Sequence, residues 1–315
     1  MKREGRTEVD LRIDALRAED VAVWVALINE ADVVDELGRA TTIERAQAKL
    51  NSPGYGADHV LLAWRHEHLV GYGDLWVQSN ERAIGGVTVH PRWRRQGIGR
   101  RLLSGVADLA ASWGIVDLAL PVVPRVEGAV ALARAAGAQL ARYWWEMVWM
   151  SRKPPPRPQP PPGIILRTFN PASDRERWIE LDAVAFDGHW GAAPLTLADV
   201  DAIMRRPGFA PAGLWFAEDH GKLVGQALAC VLPASPQDRL GPVGRIEDVA
   251  VLPAYRGRGV GRALVLAVMG YLWERGCRVT ELTVDTENVG ARRLYDELGF
   301  FVTGQLHWYR LRLSG

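Results

Sequence analysis

The chain has little cysteine and almost no excess of charge of either sign. Its 315 residues include two cysteines, Cys230 and Cys277, which lie in apolar stretches. This count excludes a disulfide framework and a zinc site, and it favours reduced, buried thiols. With 38 basic and 37 acidic residues, the formal net charge of +1 gives no general reason to expect binding to nucleic acid or to a membrane surface.

Long apolar runs are absent as well. No stretch reaches the ~18 residues that a membrane-spanning helix needs. The polar residues 1–6 do not resemble a secretory signal. We therefore expect a cytoplasmic protein, taken to be monomeric, with no membrane partner and no nucleic-acid partner.

Proline is concentrated in one segment near the middle of the chain. Seven of the twelve residues from 152 to 163 are proline, which predicts an extended, semi-rigid spacer without helix or strand. A polyproline ligand for another protein is the alternative interpretation. As a spacer, the segment divides the chain into an N-terminal domain, residues 1–151, and a C-terminal domain, residues 164–315.

Two glycine-rich segments, one in each half, share a pattern. Residues 87–99 read VTVHPRWRRQGIG, and residues 249–261, 162 positions later, read VAVLPAYRGRGVG. Each segment predicts an apolar strand, a turn marked by proline, a basic glycine-rich loop and the start of an amphipathic helix. Such a loop offers backbone N–H groups and a helix N-terminus to a phosphate. The same offset relates Gly137 to Gly299, which indicates two copies of one fold.

The hydrophobic pattern of the C-terminal half predicts alternating strands and helices. Apolar residues spaced by three or four predict helices after Ser173, after the glycine-rich loop and before Gly299. The predicted strands are 164–169, 214–217, 223–231, 245–251, 279–284 and 301–313. The N-terminal half repeats this order. We therefore expect an α/β protein of the α+β type, with a mixed, mostly antiparallel sheet flanked by helices in each of two tandem domains.

The glycine-rich loop and a second motif together resemble the GCN5-related N-acetyltransferase (GNAT) family. The loop matches the acyl-CoA pyrophosphate loop of that family in both halves. The second motif follows only in the C-terminal half. These motifs are Arg256-x-x-Gly259-x-Gly261, its copy Arg94-x-x-Gly97-x-Gly99, and Asn288-x-x-Ala291-x-x-x-Tyr295-x-x-x-Gly299-Phe300.

A dinucleotide-binding fingerprint is the rival interpretation of the loop. Its third glycine position holds Leu264, and no parallel βαβ unit is predicted to follow. The family resemblance is therefore favoured. It implies direct acetyl transfer from acetyl-CoA to an amine, without a metal ion.

The resemblance also implies which residues hold acetyl-CoA. Backbone N–H groups around Val249 and Val251 would bind the pantetheine like an added strand and polarise the thioester oxygen. Asn288 would either contact acetyl-CoA or cap its own helix. The expected cofactor-binding residues are Val249, Val251, Arg256, Gly257, Arg258, Gly259, Val260, Gly261 and Asn288, with Arg94, Gly97 and Gly99 in the N-terminal copy.

Two side chains are candidates for proton transfer in the C-terminal domain. Tyr295 lies where the family places the acid that protonates the departing thiolate, and its alternative role is that of a core aromatic residue. Glu247, on the strand before the loop, is the candidate base, acting through water. Its neighbour Asp248 should face the other way in a regular strand.

The N-terminal copy lacks these chemical groups. Subtracting 162 from the numbers of Glu247, Asn288 and Tyr295 leads to Gly85, Val126 and Ala133. The N-terminal domain is therefore expected to keep the phosphate loop without transferring acetyl groups.

The acceptor is expected to be a small-molecule primary amine. The tandem arrangement resembles a branch of the family that acetylates the cysteinyl amine of a pseudo-disaccharide thiol. The candidate substrate-binding residues are Asp187, His189 and His307. Two alternatives stay open: acetylation of another amine, such as an aminoglycoside or a peptide N-terminus, and a regulatory protein that binds acetyl-CoA without turnover.

Overall fold

The protein, described by a computed structural model over residues 11–38, 40–232 and 241–313, forms two compact units. Unit 1 contains Met1–Arg142 and His307–Gly315, and unit 2 contains Tyr143–Leu306. Within each unit, helices pack on a mixed, mostly antiparallel sheet, as the sequence predicts. None of the described helices is long and apolar enough to cross a membrane.

Unit 1 contains the helices and strands from β1 to α4 of the N-terminal half. They are β1 (Arg12–Ala15), α1 (Val21–Asp35), α2 (Ile43–Leu50), β2 (Val60–Arg65), β3 (His68–Val77), β4 (Arg82–Val89), α3 (Ile98–Ser112), β5 (Asp117–Val122) and α4 (Glu127–Ala135). Strands β1 to β4 are antiparallel neighbours in chain order. Strand β4 then runs parallel to β5.

Unit 2 repeats this plan. Its elements are β6 (Gln139–Met150, from Tyr143 on), β7 (Ile164–Thr168), α5 (Arg175–Ala185), α6 (Leu197–Arg205), β8 (Leu214–Asp219), β9 (Lys222–Val231), β10 (Val243–Val251), α7 (Val260–Glu274), β11 (Val279–Asp285), α8 (Val289–Glu297) and the first half of β12 (Phe301–Arg312). Strands β7 to β10 are antiparallel neighbours, and β10 runs parallel to β11. Residues 152–163 contain neither helix nor strand.

The last strand of each repeat is exchanged. Strand β6 follows α4 in the sequence, yet its residues Trp144–Met150 pair with β11 of unit 2. Residues His307–Arg312 of β12 pair with β5 of unit 1. The compact units therefore differ from the ranges 1–151 and 164–315. Both repeats present the same kind of parallel strand edge, so periodicity predicts these strands without deciding which edge each one joins.

The core of unit 2 is centred on α7 and includes side chains from the exchanged strand. Helix α7 is apolar on nearly all sides, and Leu264 and Leu272 are fully buried. Met147 and Trp149 of β6 belong to the same cluster. The exchange thus supplies unit 2 with core side chains from the N-terminal half of the sequence.

Truncating Met147 should therefore loosen unit 2. Because Met147 is fully buried, Met147→Ala should lower the free energy of unfolding by ~2–5 kcal/mol. Hydrogen exchange of the full chain should show faster exchange in β11 and unchanged exchange in α3. Leu102→Ala, in the core of unit 1, is the matched control and should do the reverse. Faster exchange in α3 for Met147→Ala would contradict the placement of β6.

Candidate active site

The loop before α7 contains a run of backbone amides that have no acceptor within the described part of the chain. Gly257 and Gly259 have φ angles of +72° and +89°, in the left-handed region that glycine adopts without strain. Among the described residues, no oxygen accepts from the amides of residues 257–262. The 15-residue helix α7 adds the positive end of its dipole. The loop therefore has the chemistry of an anion cradle, as its sequence predicts.

The arginine at the start of each loop fastens the loop to the preceding strand and helix. Arg256 Nε donates to the carbonyl oxygen of Val251 and Nη2 to that of Ala185, both at 3.0 Å. In unit 1, Arg94 Nε donates to the carbonyl oxygen of Val89 at 3.0 Å, and its two Nη atoms each bind a carboxylate oxygen of Asp35 at 2.7 Å. The two guanidinium groups thus position their loops.

The glycine-rich loop of unit 1 has the same left-handed backbone positions as the loop of unit 2, with an arginine in place of one glycine. Gly97 has a φ of +85°, close to that of Gly259, and Gly99 follows it in the first turn of α3. Arg95 stands where unit 2 has Gly257 and adopts a φ of +63°. A left-handed arginine costs about 1–2 kcal/mol. The loop geometry of unit 1 is therefore retained at a conformational cost.

Strand β10 contains a β-bulge at Glu247. Its pairing with β9 shifts register between Ile246 and Asp248, whereas β4 pairs with β3 without a shift. Gly244 pairs with Thr280, and Ala83 pairs with Leu118. The offset between the copies is thus 161 before the bulge and 162 after it. Glu247 is an extra residue, so its assignment to Gly85 by a constant offset is wrong.

Both carboxylates of the bulge interact with Arg206, which directly follows α6. One oxygen of Glu247 binds Arg206 Nη2, and the other accepts from Cys230 Sγ at 3.3 Å. Burial and the nearby charges of Glu247 and Asp182 raise the pKa of Asp248 to about 7. The expectation that Asp248 faces away from Glu247 is wrong, because a bulge interrupts the alternation of a regular strand.

Asp182 of α5 is held near these carboxylates by a buried amide. Gln226 of β9 is 1% exposed and donates through Nε2 to Asp182 Oδ1 at 3.1 Å. Burial raises the pKa of Asp182, and the hydrogen bond from Gln226 opposes that rise. Three carboxyl groups therefore share one region of unit 2, with Arg206 as a nearby cation.

Tyr295 is both a core residue and a neighbour of this region. It belongs to the hydrophobic core of unit 2, and its ring lies 5.7 Å from that of Phe300 in an edge-on arrangement. Burial, and secondarily the charge of Asp248, raises the pKa of the Tyr295 hydroxyl. The hydroxyl therefore stays protonated at neutral pH, close enough to Asp248 for the two groups to influence each other.

An opening lies beside the bulge. Strand β10 pairs with β11 only from Val243 to Arg245. From Ile246 onward, the described part of the chain provides only β9 as a partner strand for β10. Some N–H and C=O groups of this stretch, which includes Val249 and Val251, therefore face a gap that an extended ligand could fill.

Of the two roles expected for Asn288, contact with acetyl-CoA or capping of its own helix, the structure shows the capping. It is the N-cap of α8, and its side-chain oxygen accepts from the Ala291 amide at 3.1 Å. Unit 1 has Val126 at this position, without a side-chain cap.

Two of the expected acceptor-binding residues lie in one turn, and the third lies on the last strand. Asp187 and His189 are exposed in the turn after α5, and the His189 ring packs 5.5 Å from Phe186. His307 belongs to unit 1, where it pairs with Val122. No group of three or more His, Cys, Asp or Glu residues in the described ranges could hold a metal ion.

Comparison with known proteins decides the family. The acetyltransferase (GNAT) family model matches residues 23–138 and again residues 175–300. The chain belongs to the GNAT family. Its class is that of an N-acetyltransferase, and the tandem arrangement expected from the sequence is confirmed.

Curated relatives and solved structures match over nearly the whole chain. A mycothiol acetyltransferase of Thermobispora bispora is 36% identical and covers 93% of this chain and 95% of its own length. One of Thermomonospora curvata is 33% identical, with 91% and 92% covered. A GNAT from Sphaerobacter thermophilus (TM-score 0.77, 24% identical, covering 97% and 96%) and a tandem GNAT protein from the clavulanic acid biosynthesis pathway (TM-score 0.76, 20% identical, covering 97% and 99%) share the fold.

The raised pKa of Asp248 predicts a pH-dependent stability. The folded protein binds the Asp248 proton up to about pH 7, whereas the unfolded chain releases it near pH 4. Stability is therefore lost as the pH rises through this window. Asp248→Asn should gain stability relative to the parent between pH 4 and pH 8, measured by chemical unfolding. A difference that stays constant across this range would place Asp248 in an ordinary aqueous environment.

Proposed function

We propose that unit 2 transfers the acetyl group of acetyl-CoA to a primary amine of a small molecule. Acetyl-CoA supplies a thioester as the acyl donor. The amides of residues 257–262 would hold its pyrophosphate. The backbone of β10 around Val249 and Val251 would hold the pantetheine and polarise the thioester oxygen. The observation that supports the proposal is that Tyr295 lies within electrostatic range of Asp248, a residue of the strand whose backbone from Ile246 onward pairs only with β9 in the described ranges.

The chain's own groups can perform both proton transfers. Tyr295 keeps its proton at neutral pH and can donate it to the departing sulfur. A carboxylate of the bulge, Glu247 or Asp248, can take a proton from the attacking nitrogen, directly or through water. The apolar environment of Tyr295 excludes water and strengthens its interaction with the developing thiolate.

For the acceptor, we propose the cysteinyl amine of cysteinyl glucosaminyl-inositol. The support is the sequence resemblance together with relatives named mycothiol acetyltransferase that match along most of the chain. The carboxyl groups Asp182, Glu247 and Asp248 give the region beside Tyr295 a charge that suits an amine. Other amines, including aminoglycosides and peptide N-termini, are the competing acceptors.

The test is thiol release from acetyl-CoA across a panel of amines that includes cysteinyl glucosaminyl-inositol. We expect this amine to give the highest kcat/KM. Tyr295→Phe should lower kcat by about 10²-fold or more with little change in CoA affinity, because only the hydroxyl is removed. Higher kcat/KM with an aminoglycoside or a peptide would replace the acceptor. CoA binding without turnover of any amine would favour a regulatory role.

The two loops provide a matched comparison of the units. Unit 1 has Ala133 in place of Tyr295 and lacks the bulge. We therefore propose that it does not transfer acetyl groups, although Arg94, Gly97 and Gly99 keep its loop. Gly259→Val should abolish acetyl transfer, because a branched side chain is strained at φ +89° and obstructs the approach of a phosphate.

Gly97→Val is the matched control, since Gly97 has a φ of +85° and open space around its Cα. It should carry similar strain yet leave turnover within a few-fold of the parent. Circular dichroism would confirm that both variants fold. Equal losses of turnover would mean that unit 1 has a working site or controls that of unit 2.

A further inference from the structure

The two carboxylates of the bulge differ in their hydrogen bonds and ion pairs. Both oxygens of Glu247 are occupied, one by Arg206 and the other by Cys230. Within the described ranges, the side chain of Asp248 has neither a hydrogen bond nor an ion pair. Asp248 is therefore the carboxylate of the pair that can accept a proton without breaking a direct hydrogen bond or ion pair, since Arg206 acts on it only through its charge.

We propose that Asp248, rather than Glu247, takes the proton from the acceptor nitrogen, and that Glu247 is a positioning residue held by Arg206. This assignment rests on the proposed function, since it concerns the base of that reaction. It departs from the choice of Glu247 that the sequence favours.

The ion pair explains why Glu247 is the weaker choice. Protonating Glu247 would break its ion pair with the half-buried guanidinium of Arg206, which follows the last residue of α6. As an ionised partner, Glu247 instead ties the bulge to the end of α6. It thereby fixes the backbone that carries the next residue, Asp248.

Asp248 has the location that a base requires. Its charge raises the pKa of Tyr295, with burial the larger cause, so the two side chains lie within electrostatic range of each other. Burial and the charges of Glu247 and Asp182 bring the Asp248 pKa to about 7. A base with this pKa is well matched to proton transfer near neutral pH.

The proton balance closes within this pair. The neutral amine attacks the thioester carbon and forms a C–N bond, and its nitrogen loses one proton to Asp248. The C–S bond breaks, and sulfur takes the proton of Tyr295. The proton on Asp248 then passes to the Tyr295 phenolate, which restores both groups and leaves an amide and a free thiol.

Unit 1 supports the pairing of these two groups. Downstream of the bulge the offset is 162, so Asp248 corresponds to Gly86 and Tyr295 to Ala133. The copy that lacks one partner also lacks the other.

The test compares the same carboxylate-to-amide change at two adjacent positions of the full chain. Acetyl-CoA and cysteinyl glucosaminyl-inositol are the substrates, or an aminoglycoside or peptide amine if the panel favours it. Asp248→Asn should lower kcat by about 10²-fold or more and remove the rise of rate between about pH 6 and 8. Asp248→Glu should recover part of the rate. Calorimetric CoA affinity within a few-fold of the parent would show that each variant folds.

Glu247→Gln should act differently if Glu247 is a positioning residue. We expect a higher KM for the amine, a loss of kcat of about tenfold or less, and the parent's pH profile. A pH profile lost in Glu247→Gln and kept in Asp248→Asn would overturn the assignment while leaving acetyl transfer intact. A parent chain that acetylates no amine would overturn the proposed function and this inference with it.

Discussion

The β-bulge at Glu247 brings two consecutive carboxylates into the candidate site. One additional residue interrupts the alternation of β10, so that two consecutive carboxylates both interact with Arg206 at the end of α6. The strand also leaves β11 at this point, which opens the gap beside Val249 and Val251. Without the bulge, a regular strand would send one of the two carboxylates to the opposite face. The parallel pairing of β4 with β5 also ends after three residue pairs in the unbulged strand of unit 1, so the bulge accounts for the carboxylates and not for the gap.

A second constraint is shared by both units. The arginine at the start of each glycine-rich loop binds the carbonyl oxygen at the end of the preceding strand. It also binds the last residue of the first helix of its unit, Asp35 in α1 or Ala185 in α5. Hydrogen bonds from charged groups contribute about 1.5–3 kcal/mol each. The loop is thus held at two points from its side chain, which leaves its backbone amides available.

The sequence predicts the repeated units and the loops because these depend on local features. Glycines at left-handed positions, proline at the turn and periodic apolar residues determine their own neighbourhoods. The strand exchange could not be predicted in this way, since residues 139–150 are an equally good strand beside either parallel edge. The bulge was concealed because the loops and the helices that follow keep a constant offset. The register shift between β10 and β9 and the pairing partners of Gly244 and Ala83 reveal the extra residue.

The sequence does not identify Arg206, Asp182 and Gln226 as residues of the site, although one sequence feature points to Arg206. Thr196 and Asp199 form a capping box, a spacing that marks the start of α6, and α6 leads to Arg206. No local sequence motif identifies Asp182 and Gln226. One lies on a helix and the other on a strand, 44 positions apart, and only the packing of α5 on β9 joins them.

The exchange of final strands delays the completion of unit 1 until the last strand of the second repeat has been synthesised. Strand β5 ends at Val122, but its partner in β12 begins at His307, about 185 residues later. At roughly 5–20 residues per second, a ribosome needs ten to forty seconds to make that length. During this time the newly made first unit has an unpaired strand edge, which attracts other chains.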